Sequence, residues 1–492
     1  MLKFYLCALA LLALIAACGD STSDMPNDIG HPEADTVAEV HEEPDAQLGD
    51  TLPGDGGDEQ HGLTPREADT YYLVGAAQAD LNPEDSVPLG GFGMGGGGRE
   101  NLRYNEGIHD DVVAGAFAVM EAATGEFVIF VGVDSLGLMR EDVLEIQARF
   151  GALAQDATGS SPPTNRIVLS ASHAHSTPDT VGLYSNWPDE QRDLDYIEKV
   201  YATTAQVAWD AFVALEEAHL EVGRGWLANH LDVEGMEMDA VVTAFKATRP
   251  DGSLIGTITN WGAHPTVYGH LNNAVSADFV GTFRHALEQH MDGGVHVFLQ
   301  GPIGGVYPLV NLDGCDDTNP FEEGYKAPQV HNHHEVACVG FGLAREVTAA
   351  LEQAAPLAEE RLQIRVGHFD LSIENILFVA LGRQNVFSRE FFQDESNTYQ
   401  TPSWHTWLRL GGIDFLTAPG EAFPKYAAAL RTELVEHGAT ETVIIGLGND
   451  WVGYLLLEEQ YRDDFYGYHR GLSVGRHALG EQLEALRRLL GE

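Results

Sequence analysis

The most concentrated chemistry in this chain lies in two histidines one residue apart, His173 and His175. They stand in Ser170-Ala171-Ser172-His173-Ala174-His175-Ser176-Thr177-Pro178, directly after the apolar run Arg166-Ile167-Val168-Leu169. That run reads as a short buried strand, and residues i and i+2 of an extended segment project to one face. Two imidazoles placed this way can hold a metal together, or one can hold it while the other moves protons. They can equally be a hydrogen-bonded pair with no ligand. Further ligands decide, and other strand ends offer them: His264 in Gly262-Ala263-His264-Pro265-Thr266, Glu421 in Ala418-Pro419-Gly420-Glu421, and Tyr454 after Gly453. Singly, His264 suits a turn before proline, Glu421 a helix N-terminus and Tyr454 a core. Jointly, two histidines and a carboxylate with an open position form a catalytic zinc set.

The elements that must position these groups alternate short apolar runs with amphipathic stretches, the α/β pattern. Strands are expected at Phe127 to Val133, Leu254 to Trp261, Val295 to Leu299, Gly412 to Thr417 and Glu441 to Gly446. Helices are expected from Arg140 to Leu153, Val200 to Leu215 and Val280 to His290, the last capped by Asp278 or Ser276. Several strands then run into small residues plus one ligand-type side chain. Open α/β sheets bind ligands at such carboxyl edges.

The N-terminus points to export. Lys3 precedes an apolar run from Phe4 to Ala17 that is too short to span a bilayer. Small residues before Cys18 form a lipobox, so residues 1–17 are expected to be a lipoprotein signal peptide and Cys18 a lipidated anchor. Residues 18–72 are acidic and aperiodic and are expected to form a disordered tether. The expected location is a bacterial cell membrane, the outer rather than the inner. A net charge of −48 argues against nucleic acid as a partner. With Cys18 lipidated, Cys315 and Cys338 are expected to form a disulfide in an exported protein. A metal site with His331, His333 and His334 is the competing reading.

At these residues the chain resembles the neutral, non-lysosomal ceramidase family. Ser172-His173-Ala174-His175-Ser176-Thr177-Pro178 is similar to its T-H-T-H-S-G-P motif, Asn260-Trp261-Gly262-Ala263-His264-Pro265-Thr266 to its N-F-A-x-H-P-T, and Ala418-Pro419-Gly420-Glu421 to its V-P-G-E. Gly453-Tyr454 through Glu458-Glu459, Tyr461 and Tyr466-Gly467 follows its G-Y-x-T-x-E-E-Y … Y-E-G run, and Leu89-Gly90-Gly91-Phe92-Gly93 and Gly107-Ile108-His109 fit its N-terminal segments. The resemblance implies that residues 73–492 form one large α/β zinc-hydrolase domain, without the family's C-terminal β-sandwich domain. It implies a Zn2+ held by His173, His264, Glu421 and Tyr454, with His175 and Tyr466 catalytic and facing substrate, and Gly91, Phe92 and Gly93 in the substrate pocket. The implied reaction is hydrolysis of the amide of ceramide, or of a ceramide-like lipid, by metal-activated water.

The sequence also departs from the family. Its Q-x-N-x-G-D-V-S-P segment reads here Gln300-Gly301-Pro302-Ile303-Gly304-Gly305-Val306-Tyr307-Pro308, so the family serine is Tyr307. The serine of the N-terminal G-Y-S is Gly93, and the substrate-facing arginine expected near Ala228-Asn229-His230 has no counterpart. The implied contacts to a sphingoid head are therefore altered while the metal set is intact. The alternatives are a zinc hydrolase of another lipid amide or ester on the same scaffold, and a non-catalytic lipid-binding lipoprotein.

Overall fold

The structure, a computed structural model, describes residues 70–93, 102–187, 192–231, 239–309 and 332–491. These fall in one unit, residues 60–492. The signal peptide, Cys18, His331, Cys315 and the expected tether up to residue 69 lie outside the described residues. Tyr72, the last residue of that tether, already opens the first strand. Among the described residues no helix is long and apolar enough to cross a membrane.

The N-terminal half supplies β1 (Tyr72–Asp80), β2 (Val113–Glu121), β3 (Phe127–Val133), α1 (Arg140–Thr158), β4 (Ile167–Ala171), α2 (Leu194–Val213), β5 (Glu216–Trp226), β6 (Asn229–Leu231), β7 (Val241–Thr248), β8 (Leu254–Trp261), α3 (Phe279–His290) and β9 (Val295–Gln300). One sheet runs β4-β3-β2-β1-β5-β7-β8-β9. Then come β10 (Val306–Pro308), α4 (His333–Glu352), β11 (Ala355–Pro356), β12 (Gln363–Ser372), α5 (Ile376–Arg383), β13 (Phe392–Gln393), β14 (Tyr399–Leu410), β15 (Ile413–Thr417), β16 (Glu421–Ala422), α6 (Pro424–Glu436), β17 (Glu441–Ile445), β18 (Tyr454–Leu455), α7 (Glu458–Arg462), α8 (Gly467–Gly471) and α9 (Ala478–Gly491). A second sheet runs β12-β14-β15-β17.

Strand alternation sorts the side chains into two cores. Phe130, Val168, Phe245 and Ile258 face Phe415, Val443 and Ile445 between the sheets, with Phe130 and Phe245 rings 5.5 and 5.6 Å from that of Phe415. The alternate residues Ile129, Val131 and Leu169 pack with Val143, Phe150, Val200 and Phe283 of the helices. α6 and α9 pack on β17 and β12. The order is helices, sheet, sheet, helices, the mixed α/β architecture expected from the sequence.

The helices start and stop where local chemistry dictates. α1 runs past Leu153 until Gly159 takes the left-handed conformation, φ 78°, that glycine adopts without steric penalty. α2 begins before Val200 because the Asp193 carboxylate accepts from the Tyr196 backbone N–H at 2.9 Å. Asp278 caps α3 through the Phe279 N–H at 2.8 Å.

Two features of the sheets prepare the site. They are mixed, and their parallel pairs, β3–β4, β8–β9 and β15–β17, are the ones that deliver ligand-type residues from their carboxyl ends. The first sheet also curls. Gly132 on β3 leaves no room for a Cβ, which would sit 2.3 Å from the Phe298 carbonyl oxygen on β9. The two outermost strands, β4 and β9, thereby meet, and the Gln300 N–H donates to Ser170 Oγ at 3.1 Å.

His405 on β14 is fully buried against Gly367, and among the described residues neither ring nitrogen has a hydrogen-bond partner. Burial, and then the charges of His368 and Arg488, lower its pKa to about 3. A folded-state pKa below the unfolded value of about 6.5 means that the unfolded chain takes up this proton first as pH falls. Stability from the neutral ring is complete above that value and is lost down to about 3. His405→Phe is therefore expected to flatten the acid limb of a stability-against-pH curve by up to about 1.4 kcal/mol per pH unit. Urea unfolding across that range measures it, and an unchanged slope would contradict the assignment.

Candidate metal centre

His173, His175 and His264 converge, with one ring nitrogen from each lying within 4.8 Å of the others. His173 and His175 do not lie on the strand that the sequence predicts for them. β4 ends at Ala171, and His173 has φ 65°, so the histidines lie in a turn rather than an extended segment. The turn still brings their rings to 4.8 Å between centroids. His264 reaches the same point from the loop after β8, its ring 5.1 Å from that of His173. The His175 backbone N–H donates to the Pro265 carbonyl at 3.0 Å and locks the two loops together.

Backbone carbonyls fix which nitrogen of each ring is free. His173 Nδ1 lies 2.5 Å from the Leu136 oxygen and His264 Nδ1 lies 2.9 Å from the Val306 oxygen. A carbonyl only accepts, so Nδ1 carries the proton in both rings and Nε2 of the neutral imidazole holds a lone pair. Both Nε2 atoms face one oxygen of Glu421, Oε2, at 3.4 and 3.2 Å. Its other oxygen accepts from Trp451 Nε1 at 3.1 Å. Three lone-pair donors aimed at one point repel unless two extra protons or a cation stand between them. The groups are almost wholly buried, with Glu421 3% and His264 1% exposed, where doubly protonated rings are costly. The donor set fits a metal ion, and the carbonyl partners behind both imidazoles are the outer contacts such ligands use.

Were both rings also protonated at Nε2, the charges and hydrogen bonds of His173 and His264 would outweigh burial and hold the Glu421 carboxyl well below the usual range; a cation between the three groups keeps the carboxylate ionised without those extra protons. For His175, burial and then the neighbouring His173 and His264 push the imidazole well below its ordinary value. Both of its ring nitrogens are buried without a hydrogen-bond partner among the described residues. A neutral imidazole with both nitrogens unengaged beside the cluster can complete a ligand set or exchange a proton with a bound molecule.

The other expected residues fall into three groups. Tyr454 is in register with Glu421 across the parallel pair β16–β18, its ring 6.4 Å from that of His264. Burial and then the Glu421 charge hold its phenol neutral, well above its ordinary pKa. Phe92 sets the edge of its ring on His175 at 4.9 Å, and Gly91, φ 96°, permits that approach because a Cβ would meet the His175 ring at 2.3 Å. Gly93 follows in the same bend. Tyr466 stands one ring further back. It packs on Phe423 at 5.6 Å, which in turn lies 6.0 Å from Tyr454, and its hydroxyl accepts from Gln460 at 3.3 Å. Cys338 is buried in α4, while its expected partner Cys315 is outside the described residues.

Sequence reasoning missed several contributors. Leu136 and Val306 act through their carbonyls, which no side-chain pattern signals. Arg103 donates to the carbonyls of His175 at 2.7 Å and Asn272 at 2.7 Å, and its guanidinium lies 5.0 Å from the centre of the Phe92 ring. Trp451 is another, holding the far oxygen of Glu421 through its indole N–H. Tyr307, the departure from the family serine, stacks on His264 at 5.1 Å and 22°, and it pairs in register with His230 across β10–β6.

No family model matches the chain. Over 314 residues, 59% of this chain, it is 25% identical to the neutral ceramidase of Pseudomonas aeruginosa, and the match spans 44% of that protein's length. The crystal structure of neutral ceramidase from Pseudomonas aeruginosa superposes with a TM-score of 0.67, covering 86% of this chain and 74% of that one at 19% identity. A ceramidase complexed with C2 gives 0.65 over 86% and 75% at 18% identity. The chain is similar to the neutral ceramidases in sequence over part of their length and in fold. The ceramidase-like fold, a single mixed α/β body, is thus shared over most of the described residues.

His173→Ala and His264→Ala are expected to remove bound metal, as read by elemental analysis after exhaustive dialysis. Wild-type metal content in either variant would refute the assigned ligands.

Proposed function

We propose that this protein is a zinc-dependent hydrolase of an N-acyl amide bond, in ceramide or a ceramide-like lipid. The observation that carries the reading is the convergence of Nε2 of His173 and Nε2 of His264 on one buried Glu421 oxygen, beside His175, whose ring nitrogens have no hydrogen-bond partner among the described residues. The relationship to neutral ceramidase supports the substrate class. His173, His264 and Glu421 would hold the ion, with Tyr454 as the fourth protein group. Nitrogen and oxygen donors in that number suit zinc. A bound zinc ion supplies Lewis acidity, which lowers the pKa of a water to roughly 7 and polarises a carbonyl oxygen.

The chain's own residues do the rest. His175, neutral at pH 7, accepts the proton released by water and passes it to the leaving amine nitrogen. Tyr466, whose ring packs on Phe423, is with His175 the group that would stabilise the developing oxyanion. Phe92 and Gly91 form the apolar wall beside His175, where the amide must lie for that transfer. The position of Tyr307 excludes a serine nucleophile there, and hydrolysis proceeds without a covalent enzyme intermediate.

Tyr307 over His264 favours a second reading on the same chemistry, a lipid amide or ester other than ceramide. At that position a flat aromatic ring stands where the family has a small hydroxyl. The third reading, a lipid-binding lipoprotein without turnover, predicts zinc binding and no hydrolysis. Anchoring of the exported body through Cys18 and pairing of Cys315 with Cys338 belong to the same proposal.

A panel of N-acyl lipids and activated esters separates these readings. His175→Ala is expected to keep zinc and to lose amide turnover by about 10²- to 10⁴-fold. Ester turnover should fall much less, because an alkoxide or phenolate leaves without a protonated nitrogen. Equal losses on both substrates would remove His175 from the proton-transfer role. Tyr307→Phe keeps the stacked ring and should turn over near the wild-type rate; loss of activity would restore a chemical role to that hydroxyl.

A further inference from the structure

The two metal-binding loops come from distant parts of the chain, and one side chain joins them. Gln300 is the last residue of β9 and is fully buried. Its Nε2 donates to the Ser172 carbonyl at 2.6 Å and to the Ala263 carbonyl at 3.1 Å. Those carbonyls belong to the peptide groups that enter His173 and His264. The N–H ends of the same two peptides are also fixed, His173 N–H on the Ser135 oxygen and His264 N–H on the Val306 oxygen, both at 2.9 Å. Each peptide plane is therefore held at both ends, and the amide of Gln300 is the bond they share.

The rest of Gln300 is anchored as firmly. Its Oε1 accepts from the Gly301 N–H at 3.1 Å, and its backbone oxygen accepts from the Gly446 N–H at 2.8 Å and from Asn260 Nδ2 at 3.1 Å. A shift of the amide toward one loop breaks its Oε1 bond to Gly301, while the backbone that carries it is held by Asn260 on β8 and by Gly446 after β17. Its two N–H bonds thus set the distance between the backbones of His173 and His264. An amide is suited to such bridging because it offers two donors from one planar nitrogen, whereas a carboxylate would face two carbonyls with lone pairs.

We infer that Gln300 is a positioning residue of the metal centre, a brace that holds the His173 and His264 loops at the spacing the ion requires. The inference rests on the reading that these histidines hold zinc. Its signature is in metal affinity, since ligand preorganisation by outer contacts is worth roughly 10- to 100-fold in affinity.

The test uses the full chain with Gln300→Met, which keeps length and removes both donors, and Gln300→Asn, whose shorter amide reaches only one carbonyl. Competition with a chromophoric chelator gives the zinc dissociation constant, and melting with and without zinc separates metal-free stability from the zinc-induced rise. The expected result is a dissociation constant raised about 10- to 100-fold in Gln300→Met, a smaller rise in Gln300→Asn, and recovery of turnover at saturating zinc. Wild-type affinity in either variant would overturn the inference. So would a drop in metal-free stability with an unchanged zinc-induced rise, or loss of zinc binding in Gln300→Asn only together with the fold. Wild-type protein that takes up no zinc would instead overturn the metal reading itself.

Discussion

The architecture of the site depends on an electrostatic conflict that the fold imposes and does not itself resolve. Leu136 and Val306 carbonyls fix the protons of His173 and His264 on Nδ1, so both Nε2 lone pairs face the same carboxylate oxygen. In the dry interior such a meeting of electron pairs is strongly unfavourable. A divalent cation removes the conflict, which is why the donor set reads as a metal centre rather than as a cluster of core histidines. Trp451 holding the far oxygen of Glu421 keeps the carboxylate turned toward that point.

The large-scale fold serves the same point. Only a curled sheet brings β4 and β9, its two outermost strands, into contact, and the missing Cβ at Gly132 makes the curl possible. Three parallel pairs then present their carboxyl ends together. Glu421 and Tyr454 come from the separate two-stranded β16–β18 pair, whose strands follow β15 and β17 and in which the two residues lie in register. Candidate ligands spread from 173 to 454 in sequence thus depend on long-range closure rather than on local spacing.

Much of this was legible in the sequence. The apolar run at Phe127 to Val133 coincides with β3, because a strand buried on both faces is a continuous apolar run, and Leu254 to Trp261 coincides with β8, where Thr257, Thr259 and Asn260 interrupt the apolar residues. His173, His264 and Glu421 were found because each follows such a run. The same reasoning erred on the His173–His175 geometry, since a left-handed φ at a non-glycine residue is set by tertiary contacts and leaves no pattern in composition. The carbonyl partners of the imidazoles were invisible for a related reason: every residue has a carbonyl, and only the fold says which one is near. Gln300 lay in plain sight within a family-like segment, yet its role exists only once two remote loops meet around it.

On the proposed reading, His173, His264, Glu421 and Tyr454 bind one zinc ion through nitrogen and oxygen. X-ray absorption at the zinc edge of the loaded protein tests it directly. The expected spectrum shows a first shell of nitrogen and oxygen at about 2.0–2.2 Å, with the outer scattering of at least two imidazoles. A shell containing sulfur at about 2.3 Å, or a spectrum without imidazole scattering, would contradict it.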